Sequence, residues 1–558
     1  MRARHAGRLL PLLGWAMLGG GLVGCGGGEQ GLPPHTTDCT FMPETPRRLW
    51  RLSAQQYGNS LKDLLGLDTA PVLSNNGGTA DYAFFSDDAA GVDSNFQFSI
   101  FETVEATMTQ IAPRIPQLAA CTTGEAPSAC AQRFARSFGP RAFRRPLSED
   151  EVTALMGPFN EGMNQDFNTG ISLMLEALLQ SSSFVFRTEL GPPSAVGKTT
   201  ATNLTPYEVA SQLAYLFRNS SPDAPLLAAA ANGSLAGSNG VSQQVDRLLA
   251  LPEVHQNLTR IVGEWFNLRQ VFSKTKDSAL LSALPDTDQT VIQNDLYASA
   301  QMFIDRTLWT GQRHLIDLLT GSDVFVNQRL ATLYGFPFSG DPDTFQAVRP
   351  PDNQRAGMLT QPDVLWGLSN PTNTAIVKRG RFVHDDVICE DPSSDPPAGL
   401  LSSPAVVMKL AMLPSEIEKS DYRLMTDPCR GCHGLIDPYA RVLESFGPIG
   451  DYRTVADGVP VDPTSDFSPT EQIPNQPLPP GPVTGAPAFA REVNGNKLFS
   501  HCAVQKMASY ALGRMIRVNQ TCQILDVHDA FEQSDGSISS LFKKVATAAF
   551  LRSRSGGS

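Results

Sequence analysis

Long apolar runs are missing from this sequence. No stretch reaches the roughly 18 residues that a membrane-spanning helix needs, so the chain does not cross a membrane by helix. Basic blocks are missing too. Lys and Arg number 44 against 56 Asp and Glu, giving a net charge of −12. Nucleic-acid binding through clustered phosphate contacts is thereby excluded. There is no phosphate loop, dinucleotide fingerprint, nucleophile elbow or metalloprotease helix. Period-two alternation is scarce, with Val459 to Val461 as one short candidate for a small hairpin.

What remains is a long chain able to fold. Its 558 residues suggest about three to five domains. Hydrophobic residues make up 41% and charged residues 18%, so a packed core is within reach and wholesale disorder is not. With 42 Pro and 46 Gly, long irregular connections are expected.

The N-terminus reads as an export signal. Arg2, Arg4 and Arg8 precede a short apolar stretch from Leu9 to Val23, which ends in Gly24-Cys25. This end resembles the lipobox of bacterial lipoproteins, in which the Cys is lipidated and becomes residue one. Cys25 is the expected lipidation site, 1–24 the signal peptide and 25–46 a tether. Gly26, in place of Asp, points to the outer membrane of a Gram-negative bacterium, with the membrane held by lipid alone. Removing residues 1–24 deletes three Arg and no acid, so −12 becomes −15.

Export sets the reading of the nine Cys, because disulfides persist in oxidising compartments. Cys39, Cys121, Cys130, Cys389, Cys502 and Cys522 are disulfide candidates. Cys121 with Cys130 and Cys502 with Cys522 are the local pairings, leaving Cys39 with Cys389, although six Cys permit about 15 connectivities.

The remaining two form Cys429-Arg430-Gly431-Cys432-His433. Thiols at this spacing can add across the two vinyl groups of a haem, and the adjacent imidazole then reaches the iron. A single such unit implies one covalent haem c, with Cys429 and Cys432 as attachment points and His433 as axial ligand. For the second axial position the Met candidates are Met408, Met412, Met425, Met507 and Met515, with His501 as a rival. Met507 is preferred for its separation from His433. Arg453 could contact a haem propionate, and Glu444 could pair with Arg441 or with a buried Arg. Asp437-Pro438 is expected to end the attachment turn. A structural disulfide, half of a zinc site or a redox dithiol are the other readings of the two thiols.

Helix is the dominant signal. Leu52-Ser53 with Gln56 and Tyr57, Leu147-Ser148 with Glu151 and Val152, and Leu204-Thr205 with Glu208 and Val209 each combine a capping box with a hydrophobic staple. Apolar spacing extends helices over 127–138, 168–186, 241–251, 253–270, 287–309, 324–335, 499–516 and 536–551. The segments 178–187 and 545–552 echo each other, though two copies are too few for a solenoid, and chance likeness of amphipathic helices accounts for them. The expected fold is mainly α, with long Pro/Gly-rich loops and a C-terminal cytochrome-c-like helical unit over roughly 420–552. The expected domains are 47–120, 121–190, 200–335, 350–454 with the CxxCH motif, and 490–558, with a Pro-rich loop over 455–489.

Several motifs in order resemble a known family. They are Arg48-Leu49 with Tyr57-Gly58-Asn59; Arg141-Ala142-Phe143-Arg144-Arg145-Pro146-Leu147; Leu204-Thr205-Pro206-Tyr207-Glu208 with Ser221-Pro222-Asp223; Arg355-Ala356-Gly357-Met358-Leu359-Thr360 with Lys378-Arg379-Gly380; the CxxCH unit with Asp437-Pro438; and Tyr510-Ala511-Leu512-Gly513-Arg514. The chain resembles the exported bacterial proteins built from domains of unknown function 1587, 1595, 1592, 1588 and 1585. The resemblance implies a mostly helical exported protein with a cytochrome-like CxxCH segment. It also implies a partner, possibly an exported His-rich protein serving as redox or scaffold partner. The chain departs from the family at Ile436, where a Met is common.

The expected function is electron transfer by an outer-membrane-anchored monohaem protein. The alternatives are a non-haem, disulfide-stabilised protein that binds a partner or polymer, and a haem-dependent oxidase acting on an exported polymer. Whether the protein is an enzyme stays open at this point.

Overall fold

Three hydroxyl side chains start helices as their sequence requires. In the computed structural model Ser53 accepts from the Gln56 amide at 3.1 Å, and its own N–H donates to Gln56 Oε1 at 3.1 Å. Ser148 with Glu151 and Thr205 with Glu208 close the same reciprocal pair. Each pair satisfies two amide groups that have no acceptor inside the helix. The structure describes residues 39–556, apart from 40, 42–43, 74–83, 196, 352–353, 391–403, 428, 457, 469–477 and 517–520. The expected signal peptide, Cys25 and most of the expected tether lie outside the described residues.

The fold is mainly α. Strands are two to four residues long and pair only as two-stranded antiparallel ribbons among the described residues. A first core gathers apolar side chains between Leu52 and Val185. Within it, helices Glu149–Gly162 and Phe167–Gln180 cross at two glycines. A Cβ on Gly162 would lie 2.6 Å from the Gly170 Cα, so only Gly allows this approach. A second and larger core joins Phe84 to side chains from Leu204 to Leu551, and a third joins Val271, Leu296, Val324 and Trp366. Tyr215, on helix Pro206–Phe217, belongs to the first core while its neighbours Leu213 and Leu216 belong to the second. The described residues from Cys39 onward thus form one compact unit.

Two sequence-expected helices are corrected. The helix over 168–186 stops at Gln180, and Phe186–Glu189 is a strand paired with Arg48–Arg51. The helix over 324–335 begins only at Gln328, because Asn327 accepts from the Leu330 amide at 3.0 Å and caps it. Before the cap, Val324–Val326 is a strand paired with Gln346–Val348, as its β-branched alternation favours.

The internal echo is structural. Both copies break from helix into extended backbone, at Ser181 and at Ala548. Both then form one short helical turn and enter a strand, Phe186–Glu189 or Ser553–Arg554. The two ends meet where Arg554 Nη2 contacts Glu189 Oε2 at 2.7 Å.

Among the described residues three disulfides form: Cys39–Cys522, Cys121–Cys130 and Cys389–Cys502. The short-range pairing agrees with the sequence reading, and the other two are exchanged. Cys502 sits in the second turn of helix Leu498–Leu512. It is about 15 Å along the axis from the helix end that leads to Cys522, whereas a disulfide needs Cα atoms within about 7 Å. Cys389, just past the π-helical turn Val383–Val387, lies against Cys502, and Cys522 opens its own helix beside Cys39.

Candidate haem-attachment site

Cys429 is the N-cap of helix Arg430–Arg441, so the CxxCH unit occupies the cap and first turn. Asp437-Pro438 does not close a turn, as the sequence suggested: both lie inside the helix, which passes through Pro438 to Arg441. Burial of Asp437, Pro438, Tyr439 and Ala440 holds this last turn in place against the lost backbone bond. Continuity has a consequence for His433. Residues four apart share a helix face, so the Asp437 carboxylate lies over the imidazole.

His433 Nδ1 and Asp437 Oδ1 are 2.9 Å apart. Asp437 is fully buried, and its Oδ2 accepts from Arg423 Nε at 3.0 Å and from Nη2 at 2.9 Å. Arg423 comes from the preceding helix, Glu416–Met425. The chain Arg423–Asp437–His433 therefore fixes the ring. With Nδ1–H donated to the carboxylate, Nε2 keeps its lone pair for a metal. The His433 side chain is 21% exposed, so this edge of the helix opens to solvent. Cys429 is buried, Cys432 is half-buried, and neither is in a disulfide.

A second layer anchors the other end of the motif helix. Arg379, fully buried on helix Ile376–Phe382, donates to the carbonyls of Leu443, Phe446 and Gly447 at 3.1, 2.8 and 2.9 Å, and to Glu444 Oε1 at 3.1 Å. Glu444 also accepts from Thr374 Oγ1 at 2.9 Å and Arg453 Nη2 at 3.3 Å. The structure thus gives Arg453 a carboxylate partner, and Glu444 pairs with the buried Arg379. Arg441 turns to Asp421. Gly380 lets the two helices touch: a Cβ there would fall 2.2 Å from the Ile436 carbonyl oxygen. Ile436 is buried in this crossing.

The candidates for a second axial ligand are dispersed. Met507 is fully buried in the second core, on helix Leu498–Leu512, which packs mainly on Gly485–Gly495, Cys522–Glu532, Ile538–Thr547 and the π-helical turn Val383–Val387. The motif helix packs mainly on Ile376–Phe382 and Glu416–Met425 and also touches the π-helical turn Val383–Val387, and its Tyr439 shares the second core with Met507. His501 faces His528, with ring centres 5.4 Å apart. Met515 is 38% exposed. Met408, Met412 and Met425 are exposed, on the two helices that lead into the motif.

The sequence reading found the thiols and the imidazole but missed three supports: Asp437 as the partner of His433, Arg423 behind it, and Arg379 as the anchor. The four-residue spacing from His433 to Asp437 was the available signal. Treating Asp437-Pro438 as a turn hid it.

The chain matches four families of proteins of unknown function: DUF1595 over residues 130–189, DUF1592 over 204–336, DUF1588 over 355–456 and DUF1585 over 481–550. The chain belongs to the multi-domain family that these domains compose. Four of the five domains expected from the sequence are among the matches, in the expected order, and the Cys429–His433 unit falls inside DUF1588. No curated protein and no solved structure matches the chain. This family membership carries no reaction with it, so the chemistry must be argued from the site.

Proposed function

We propose that this protein is an exported, lipid-anchored monohaem c-type cytochrome that passes electrons to or from an exported partner. The observation that carries the reading is the oriented His433. Its Nδ1 is engaged by a buried carboxylate, and two thiols stand four and one residues before it, outside the disulfide set. Cys429 and Cys432 would hold the group by thioethers and His433 would bind its iron. Haem, when bound, supplies one-electron chemistry. The protein's part is to hold the ring rigid and to set its basicity through Asp437. A fixed ligand suits electron transfer, in which little should reorganise.

A second support comes from helix Pro404–Met412. Among the described residues none of its nine is buried, although it carries Val407 and Met408 at 49% and 64% exposure. Apolar surface left open just before an attachment motif is what a tethered macrocycle would cover. Location at the outer membrane follows from acylation at Cys25. Among the described residues no helix is long and apolar enough to cross a membrane. An exported His-rich protein is the proposed redox or scaffold partner.

The test is expression of the full chain in a host with cytochrome c maturation. The expected product carries the mass of one haem that denaturation does not remove and shows the reduced α-band of c-type haem. Cys432→Ser abolishes two-thioether attachment, and Cys25→Ala leaves the protein soluble or unprocessed. Haem-free protein with Cys429 joined to Cys432 overturns the cytochrome and leaves a disulfide-stabilised binding protein in its place.

A further inference from the structure

Helix Ser94–Ile111 breaks the amphipathic rule. A surface helix keeps its apolar residues on the core side, and this one does bury Phe96, Ile100, Val104 and Met108 in the first core. Its other side, however, carries Phe98 at 60% exposure and Phe101 at 49%. The two are three residues apart, so they are neighbours on the helix surface. Of the five exposed Phe among the described residues, three lie between Phe85 and Phe101. Single exposed apolar residues are ordinary, whereas grouped ones mark contact surfaces.

The surrounding charge says what the contact is with. Between Lys62 and Arg114 the sequence has eight acids and neither Lys nor Arg. Asp63 and Asp88 are matched from elsewhere, by Arg218 and Arg48. Glu102 and Glu105 are exposed on the same side as the two rings, and among the described residues no cation pairs with them. Glu176 adds a third carboxylate. Its helix, Phe167–Gln180, packs on Ser94–Ile111 and carries no base, and Glu176 is held above the usual carboxylate range by burial and then by Glu105.

A second copy of this chain would bring Glu onto Glu in a two-fold contact. An anionic membrane surface repels the same carboxylates. A cationic partner meets neither obstacle. Guanidinium groups suit the face best, because they pair with carboxylates and also stack on aromatic rings. The protein makes the second kind of contact itself on the buried side of this helix, where the Arg51 guanidinium lies 3.8 Å from the centre of the Phe96 ring.

We propose that the face bearing Phe98 and Phe101 is the docking surface for a partner protein that presents an Arg-bearing amphipathic segment. Apolar side chains of the segment cover the two rings, and its guanidinium groups reach Glu102, Glu105 and Glu176. The face belongs to the first core, whereas the CxxCH helix packs into the second, so the proposal stands or falls without the haem reading.

The probes are three labelled peptides added to the full-length protein and followed by fluorescence anisotropy: an Arg/Leu amphipathic helix, an Arg/Ser peptide of equal charge and a Glu/Leu helix. Cellohexaose serves as a carbohydrate competitor. The Arg/Leu peptide should bind about tenfold more tightly than the Arg/Ser peptide, or better, and should weaken as salt is added. Replacing both rings, Phe98→Ser with Phe101→Ser, should weaken it about tenfold or more without lowering the melting temperature, since both are exposed. Glu102→Gln with Glu105→Gln should weaken it and flatten the salt dependence. No binding of the Arg/Leu peptide, unchanged binding in either double variant, equal binding of the Arg/Ser peptide, or binding of the Glu/Leu helix overturns the proposal. Displacement by cellohexaose overturns it too and assigns the rings to a glycan.

Discussion

Helices Pro206–Phe217 and Pro404–Met412 both open with proline and both are rich in apolar residues. The first buries ten of its twelve residues. Among the described residues the second buries none. Tyr215 and Phe217 of the first reach two different cores, while Val407, Met408 and Met412 of the second face outward. The same kind of sequence is thus finished by protein in one place and left unfinished in the other. Apolar surface stabilises by about 25 cal/mol per Å² removed from water, so a helix of this composition gains little until something covers it. The contrast places the uncovered helix in the sequence segment that precedes Cys429, the proposed point of attachment.

The largest effect expected from breaking this contrast is at Asp437, which supports the proposed ligand His433. Asp437→Asn removes the charge between His433 and the buried Arg423, and leaving Arg423 unpaired should cost about 3–5 kcal/mol of unfolding free energy. In loaded protein it should also raise the midpoint potential, because the imidazole loses the basicity that the carboxylate lends it. Denaturant melts read the first outcome and redox titration the second. A potential unchanged by the substitution means that His433 does not bind iron.

Next comes a matched pair. Leu213→Ala, in the finished helix, should cost about 2–5 kcal/mol. Met412→Ala, at 76% exposure, should change haem-free protein by no more than about 0.5 kcal/mol. The comparison sharpens when both are repeated with haem attached: Leu213→Ala keeps its cost and Met412→Ala acquires one. Equal costs in both forms would mean that the Pro404–Met412 helix is covered by nothing.

Met507→Ala separates a ligand from a core filler. Full burial in the second core favours the core role, so a loss of about 2–5 kcal/mol with unchanged haem absorption is expected. A shifted absorption band would return Met507 to the iron and show that the finished region serves the cofactor as well.

How much of this was legible beforehand follows from range. The caps at Ser53, Ser148 and Thr205 are written within four residues, and each was readable. The CxxCH unit is equally local. The Cys39–Cys522 bridge joins residues 483 apart, and nothing in the spacing of cysteines encodes which helix end faces which. Val324–Val326 merges in the sequence with the helix beside it, because the single cap residue Asn327 is all that separates them. Likewise Arg379 reads as one Arg among many until the carbonyls of Leu443, Phe446 and Gly447 converge on it.

The smallest expected effect tests the packed face of the motif helix. There the His384 ring meets Tyr439 edge-on, 5.8 Å between centres. Burial, reinforced by nearby Arg381, pushes the His384 pKa down to about 4. The unfolded chain, with an ordinary value near 6.5, then binds more protons than the native state between about pH 4 and 6.5. This group alone therefore makes stability rise with pH across that window and fall on acidification. Asp385 next to it acts in the opposite sense. Burial raises its carboxyl to about 6 against the pull of Arg381, so its contribution falls as pH rises from about 4 to 6. The two slopes oppose each other, and stability should change little over this range on their account. Replacing His384 with Gln removes one of them, so stability should fall more steeply, or rise less, from pH 4 to 6 than in the parent protein. Urea melts at half-unit intervals read the difference. A parallel pair of curves would mean that His384 titrates normally, and that the face packed on Tyr439 is as open to water as the helix at Pro404–Met412.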